Sequence, residues 1–181
     1  MTYETETKIL NVDCKEIGEK FLKLGAKQIA SNRLFVEWFK PKGATIGDKL
    51  SWFLRIREYS SGKCEVTWKG KSDVLGDSRQ HKEINFIVSD LEQVKDLFKE
   101  LGLEKYAYQE KDRTTWIFKD WQFDLDQYPN MPAYLEIEGK DEAHIQEAIS
   151  LLGLEENKKS PEGERVLIQN EYGLNWFNMK F

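Results

Sequence analysis

Residues 3–10 read Tyr-Glu-Thr-Glu-Thr-Lys-Ile-Leu, a run in which Glu4, Glu6 and Lys8 take every second place between threonines. Successive side chains of a strand point to opposite faces, so the three charges share one face of a β-strand. The alternation recurs down the chain. Arg55 and Arg57 share a face opposed by Trp52, Leu54 and Ile56, and Glu65, Thr67 and Lys69 oppose Val66 and Trp68. His81, Glu83 and Asn85 oppose Ile84, Phe86 and Val88; Lys111 lies with Arg113, Asp124 with Asp126, and Glu136 with Glu138.

An antiparallel sheet with one solvated face alternates in this way without further meaning. Two features argue for more. The charges are sorted by strand, with acidic pairs at Glu4/Glu6, Asp124/Asp126 and Glu136/Glu138 and basic pairs at Arg55/Arg57 and Lys111/Arg113. Like charges two residues apart on a strand are also about 7 Å from each other, which costs roughly 2 kcal/mol per pair at an effective dielectric near 20. On an enclosed face that cost needs an offset. A bound cation offsets the acidic pairs and a polyanion the basic ones. Mg²⁺ or Mn²⁺ takes carboxylate oxygens and keeps positions open for water and phosphate, while arginine forks match phosphate oxygens. A metal triphosphate satisfies both sets.

Eight segments read as strands: Tyr3–Leu10, Arg33–Lys40, Leu50–Tyr59, Lys63–Lys69, His81–Val88, Asp112–Lys119, Trp121–Gln127 and Ala133–Glu138. Three read as amphipathic helices ending in glycine: Asp13–Leu24 with an Asp13/Glu16 capping box, Ser89–Leu101 with Ser89 and Glu92 as caps, and Asp141–Leu152. Their endings FLKLGA, LFKELGL and ISLLGL are alike, through either an internal repeat or the shared physics of short helices. Short links favour antiparallel pairing, and eight such strands can close into a barrel. The fold expected is α+β, an eight-stranded antiparallel β-barrel with a charged interior and flanking helices. Gly70–Gln80 and Asn157–Glu164 read as mobile connections.

With 181 residues, 40% of them hydrophobic and 13% aromatic, the chain suits a single domain over 1–181, with a tail from about residue 157. A net charge of −5 argues against coating nucleic acid, and no apolar run is long enough to span a membrane. Cys14 and Cys64 have no CxxC spacing, so they read as buried free thiols of a reducing, cytoplasmic protein. Gly70-Lys71-Ser72 is not a P-loop, because no glycine stands five residues before Gly70. His144 reads as a helix-surface residue, and Trp52, Trp68 and Trp116 have the parity of the outer, helix-covered face. YGLNWFNMKF at residues 172–181 can pack on the barrel, close one tunnel mouth or form a dimer contact.

These residues resemble the CYTH family, the triphosphate tunnel metalloenzymes. ETETK fits its ExExK signature, and the likeness continues through LRIR, TWKG, the KxR of EKDR, FDLD and YLEIEG, from Glu4 to about Glu138. The resemblance implies an eight-stranded tunnel acting on triphosphates with Mg²⁺ or Mn²⁺. It implies metal binding by Glu4, Glu6, Glu136, Glu138 and Asp126. It implies phosphate binding by Lys8, Arg55, Arg57, Lys69, Lys111 and Arg113, with Lys8, Glu83 and Asp126 serving the chemical step. The family includes inorganic, thiamine and RNA triphosphatases and class IV adenylyl cyclases, and dimers occur in it. Two departures fall on one strand, where His81 stands in place of the arginine and Asn85 in place of the second glutamate of an R-x-E-x-E pattern. In the tail only Arg165 offers the basic residue the family often carries there, and the His-Phe start of the best-known class IV cyclases is absent.

The activity expected is therefore metal-dependent hydrolysis of a small-molecule triphosphate, with cyclisation of ATP as the alternative. A non-catalytic polyphosphate binder would gain nothing from the glutamates. A lipocalin-like barrel would want apolar residues where Arg55, Arg57, Glu136 and Glu138 stand.

Overall fold

The computed structural model describes residues 2–46 and 51–181. In chain order its elements are β1 (Thr2–Val12), α1 (Cys14–Leu24), β2 (Lys27–Pro41), β3 (Trp52–Tyr59), β4 (Cys64–Gly70), β5 (Asp73–Leu75) and β6 (Ser78–Val88). They continue with α2 (Leu91–Glu100), β7 (Leu103–Phe118), β8 (Trp121–Gln127), β9 (Ala133–Gly139), α3 (Glu142–Leu151), β10 (Lys159–Ser160), α4 (Glu164–Tyr172) and β11 (Asn178–Met179). Eight of the strands follow the order β1-β9-β8-β7-β2-β3-β4-β6, all antiparallel, and the pairing of Thr2–Glu6 with Arg79–Glu83 joins β6 back to β1 and closes the ring. All eight expected strands are present; Leu50, the expected start of the third, lies outside the described residues.

Residues paired across an antiparallel ladder share a face, so the registers carry one side of the sheet around the whole ring. Lys8 faces Glu136, Glu136 faces Asp124, and Asp126 faces Arg113. Arg57 faces Glu65, Lys69 faces Glu83, and His81 faces Glu4. The charged residues of the alternating pattern thus point inward together.

The outward sides carry apolar residues that the helices cover. α1 and α3 bury Phe21, Ile145 and Ile149 against Ile9, Trp116, Phe123 and Ile137, at about 1.5–3 kcal/mol for each large side chain removed from water. α2 places Phe98 on Phe39, Leu54, Ile56 and Val66, with Trp52 and Trp68 at the margin. Asp13 caps α1 by accepting from Glu16 N at 2.8 Å, and Asp141 caps α3 through His144 N at 2.9 Å. For α2 the cap is Asp90, bonded to Gln93 N, rather than the expected Ser89.

The tail closes one end of the ring. α4 and Trp176 pack against the inward-facing Leu10, Leu34, Val36, Trp38 and Tyr134, while β11 adds parallel to β7. Several expectations are corrected here. Gly70–Gln80 contains β5 and the first turn-in of β6, and Asn157–Glu164 contains β10, paired to β1 through Lys8 and Ser160. The thiols are not buried, since Cys14 is exposed and Cys64 partly so. His144 is on the surface of α3 as expected, half-buried, and stacks on Trp121 with ring centroids 4.4 Å apart. Among the described residues no helix is long and apolar enough to cross a membrane.

Candidate active site

The open end of the ring leads into a cavity of about 970 Å³. Arg55, Arg57, Lys69 and Arg113 contribute cations to its wall, and Glu4, Glu83, Asp124, Glu136 and Glu138 contribute carboxylates. The four strands that supply these acids and the three that supply these bases are fixed by the ladder registers, so the site is a property of the ring rather than of loops.

The carboxylates fall into two groups. Asp124, Glu136 and Glu138 bring oxygens within 4.8 Å of one another, as do the ligand atoms of Glu4, His81 and Glu83. Arg113 binds Asp124 at 2.6 Å, Asp126 at 2.6 Å and Glu136 at 3.1 Å, which brings two members of the first group under one guanidinium. Glu138 has no ion-pair partner among the described residues. Its burial, together with Glu4, Asp124, Glu136 and Glu6, pushes its carboxyl well above the usual range. Burial likewise raises Asp124, and the pull of Arg113 does not overcome it. Such a cluster binds either a proton or a cation. Hard carboxylate oxygens, clustered around the unpaired Glu138, are the donor set that Mg²⁺ or Mn²⁺ takes.

The second group is differently poised. Glu4 receives Lys69 at 2.8 Å and lies 2.7 Å from His81 Nε2, and Glu83 is 2.6 Å from Lys69. Burial alone would raise Glu83, but the His81 hydrogen bond and the Lys69 charge hold it far below the usual carboxylate range. His81 is correspondingly raised, as its bonds to Glu4 and Glu83 outweigh the cost of its burial.

Not all the expected residues meet in the cavity. Glu6 and Asp126 are both 0% exposed, outside the two ligand groups and paired to cations: Lys8 and Arg79 on Glu6, Lys111 and Arg113 on Asp126. Lys8 reaches Glu136 at 2.9 Å as well as Glu6, and Lys111 joins Asp126 to Glu164 of α4. These four residues form a layer behind the cavity wall. Arg57 faces the cavity paired to Glu65, whereas Arg55 has no ion-pair partner among the described residues.

Arg79, Glu164 and the parts played by Glu65 and Asp124 escape the sequence reading. Arg79 stands two residues before His81 on the same inward face, so the inward arginine that His81 displaces in that reading is present one pair upstream. Extending the alternation Glu83-His81-Arg79 backwards would have found it. Nothing in the sequence pattern marks Glu164, the first residue of a short helix.

Sequence and structure comparisons agree with this geometry. The CYTH domain model matches residues 3–163. No curated protein matches the chain. Among solved structures, the PH1012 protein of Pyrococcus horikoshii OT3 superposes with a TM-score of 0.73 at 25% identity, over 88% of this chain and 96% of its own. The PH1819 protein of the same organism gives 0.72 at 20% identity, over 93% and 99%. A Hippeastrum protein described as having a dominant triphosphatase activity gives 0.67 at 11% identity, over 97% of each chain. With the family model covering most of its length and the ring, register and charged interior in place, the chain belongs to the CYTH domain family.

Proposed function

We propose that the protein hydrolyses a triphosphate, inorganic, thiamine or nucleoside, with Mg²⁺ or Mn²⁺ as cofactor. The observation that carries this reading is the composition of the cavity wall, where clustered carboxylates, Glu138 among them without a cation, stand beside Arg55, Arg57, Lys69 and Arg113. The activity described for the Hippeastrum neighbour supports hydrolysis over cyclisation.

Asp124, Glu136 and Glu138 would hold the cation, with Glu4 and Glu83 as further oxygen donors from the other group. When bound, the ion supplies Lewis-acid neutralisation of phosphate oxygens. The remaining work falls to the chain. Arg55, Arg57, Lys69 and Arg113 grip the phosphate chain and hold it in line for attack, the geometry on which phosphoryl transfer depends. Glu83, kept ionised, accepts a hydrogen bond from the attacking water and orients it for attack. Lys8, Lys111, Glu6 and Asp126 act from behind the wall: Lys8 orients Glu136, and Asp126 aims Arg113.

Phosphorus NMR of the protein with Mn²⁺ or Mg²⁺ and tripolyphosphate, thiamine triphosphate or ATP tests the proposal. Orthophosphate release that falls about 100-fold or more in Glu138→Gln is the expected result. Pyrophosphate with a cyclic nucleotide from ATP would replace hydrolysis by cyclisation, and no turnover of any of them would overturn the reading.

A further inference from the structure

β6 runs on past the point where β1 leaves it. Glu83 is the last of its residues to pair with β1, through Thr2, while β4 stays paired with it along Glu83–Val88. From Ile84 to Val88 the side of β6 turned away from β4 has no ladder partner among the described residues. This open edge reads Ile-Asn-Phe-Ile-Val. Sheet edges are ordinarily blunted by a charge, a proline or a bulge. These five residues supply neither charge nor proline, and their register with β4 is unbroken. Ile84 is 46% exposed, Phe86 50% and Ile87 61%. At those exposures the three leave roughly 300 Å² of apolar surface open on each chain, the scale at which a patch marks an interaction site.

The two ends of the edge carry opposite charges. The backbone is still extended at Asp90, so the alternation of β6 puts Lys82 and Asp90 on the same face as Phe86, which lies midway between them. The exposed Asp90 carboxylate bonds only Gln93, and Lys82 has no ion-pair partner among the described residues. A second copy of the edge, laid antiparallel about a two-fold axis at Phe86, sets Phe86 on Phe86, Ile84 on Val88 and Lys82 beside Asp90 at both ends. A parallel copy in register would set lysine on lysine and aspartate on aspartate. The edge is therefore complementary to itself in one orientation. On the inward face the same register brings Ile87 of one copy beside Asn85 of the other. Asn85 lines the large cavity and donates a hydrogen bond to Glu83.

We propose that Ile84–Val88 is a homodimer interface, in which two copies of β6 pair edge to edge, antiparallel about Phe86. The contact joins two rings through one continuous sheet and places Ile87 of the partner subunit over the Asn85–Glu83 pair at the cavity mouth. Only the use of that last contact in turnover rests on the function proposed above. The two chains bring together roughly 600 Å² of apolar surface, at the small end of specific interfaces, so the dimer is one of micromolar affinity.

The test is analytical ultracentrifugation of the full chain in EDTA across micromolar concentrations, with circular dichroism to confirm that each variant folds. Wild type is expected to pass from monomer to dimer as concentration rises. Phe86→Lys, at a half-exposed position, meets its own charge across the axis and is expected to weaken association about 100-fold or more. The register has a separate test. Lys82→Glu and Asp90→Lys each put like charges at both ends of their own dimers and are expected to associate about tenfold more weakly. Mixing these two variants restores an opposite pair at each end, so a heterodimer of wild-type affinity is expected. A wild type that stays monomeric overturns the proposal, even if its edge takes up an unrelated strand. A dimer that survives Phe86→Lys, or a mixture that associates no better than its components, overturns it as well. Because the assay contains no metal and measures no turnover, its failure is separate from failure of the triphosphatase reading.

Discussion

A Glu138→Gln substitution removes one carboxylate from a group whose oxygens lie within 4.8 Å of one another. At that spacing and an effective dielectric of about 20, each like-charge pair costs about 3 kcal/mol, and Glu138 has Asp124 and Glu136 as such partners. Burial and its acidic neighbours push the Glu138 carboxyl well above the usual range, so taking up a proton relieves part of this cost. A carboxyl whose folded pKa is raised contributes stability that is complete below its unfolded pKa, about 4.3, and is lost as pH rises through the folded value. Glutamine keeps the shape and needs no proton. The variant in EDTA at pH 8 is therefore expected to be about 3 kcal/mol more stable, roughly 6–12 °C in Tm for a chain of this size, with a flatter decline on the alkaline side. Mn²⁺ should close most of this gap, since a ligand at 100 times its Kd adds about 2.7 kcal/mol to the protein that binds it. Differential scanning calorimetry with EDTA and with MnCl₂ measures both effects. A variant less stable than wild type in EDTA, with an undiminished Mn²⁺ shift, would refute the argument.

Arg113→Met leaves Asp124, Asp126 and Glu136 buried without their shared guanidinium; it is expected to cost about 3–5 kcal/mol in urea unfolding. Glu164 is held far below the usual carboxylate range, since Lys111 and Arg55 overcome its burial. Its contribution is present above the unfolded pKa and lost as pH falls, so Glu164→Gln should reduce the acid-side slope of Tm against pH. Trp176→Ala empties a site packed on Trp38 and Tyr106 and is expected to destabilise by about 3–5 kcal/mol, read by thermal melting. Gly139→Ala puts a methyl group 2.9 Å from His144 Nδ1 and Ile145 Cγ1; calorimetry should show a loss of about 1–3 kcal/mol.

The strands of the ring were legible because inward charges alternate with outward apolar residues under α1, α2 and α3. Legibility ends where that alternation does. Lys27–Asn32 at the start of β2 carries largely exposed residues, and the part of β7 before Lys111 turns Ala107 and Gln109 toward the tail instead of placing a charge inward. Both halves were left out, although β2 and β7 pair along nearly their whole length. α4 was missed for a related reason. Its apolar Leu167 and Ile168 have meaning only inside a closed barrel, and its N-cap is a glycine without a capping side chain. At the site, parity identified the inward residues, but it carries no depth. Which carboxylates line the cavity and which sit paired to cations behind it depends on partners such as Arg79 and Glu164, far away in sequence.

The position of β1 in the ring has a consequence for how the chain is made. Thr2 pairs with Glu83 and Thr5 with Gly139, so this strand reaches both of its long neighbours only after most of the chain has been synthesised. Contacts of such long range slow folding and leave an unpaired strand exposed in the meantime. An apolar strand in that position would invite pairing with other chains. Glu4, Glu6 and Lys8 place charges on one face of β1 and threonines line much of the other, a composition that discourages edge-to-edge association. The residues that furnish the cavity in the finished protein thereby keep its earliest strand in solution while it waits.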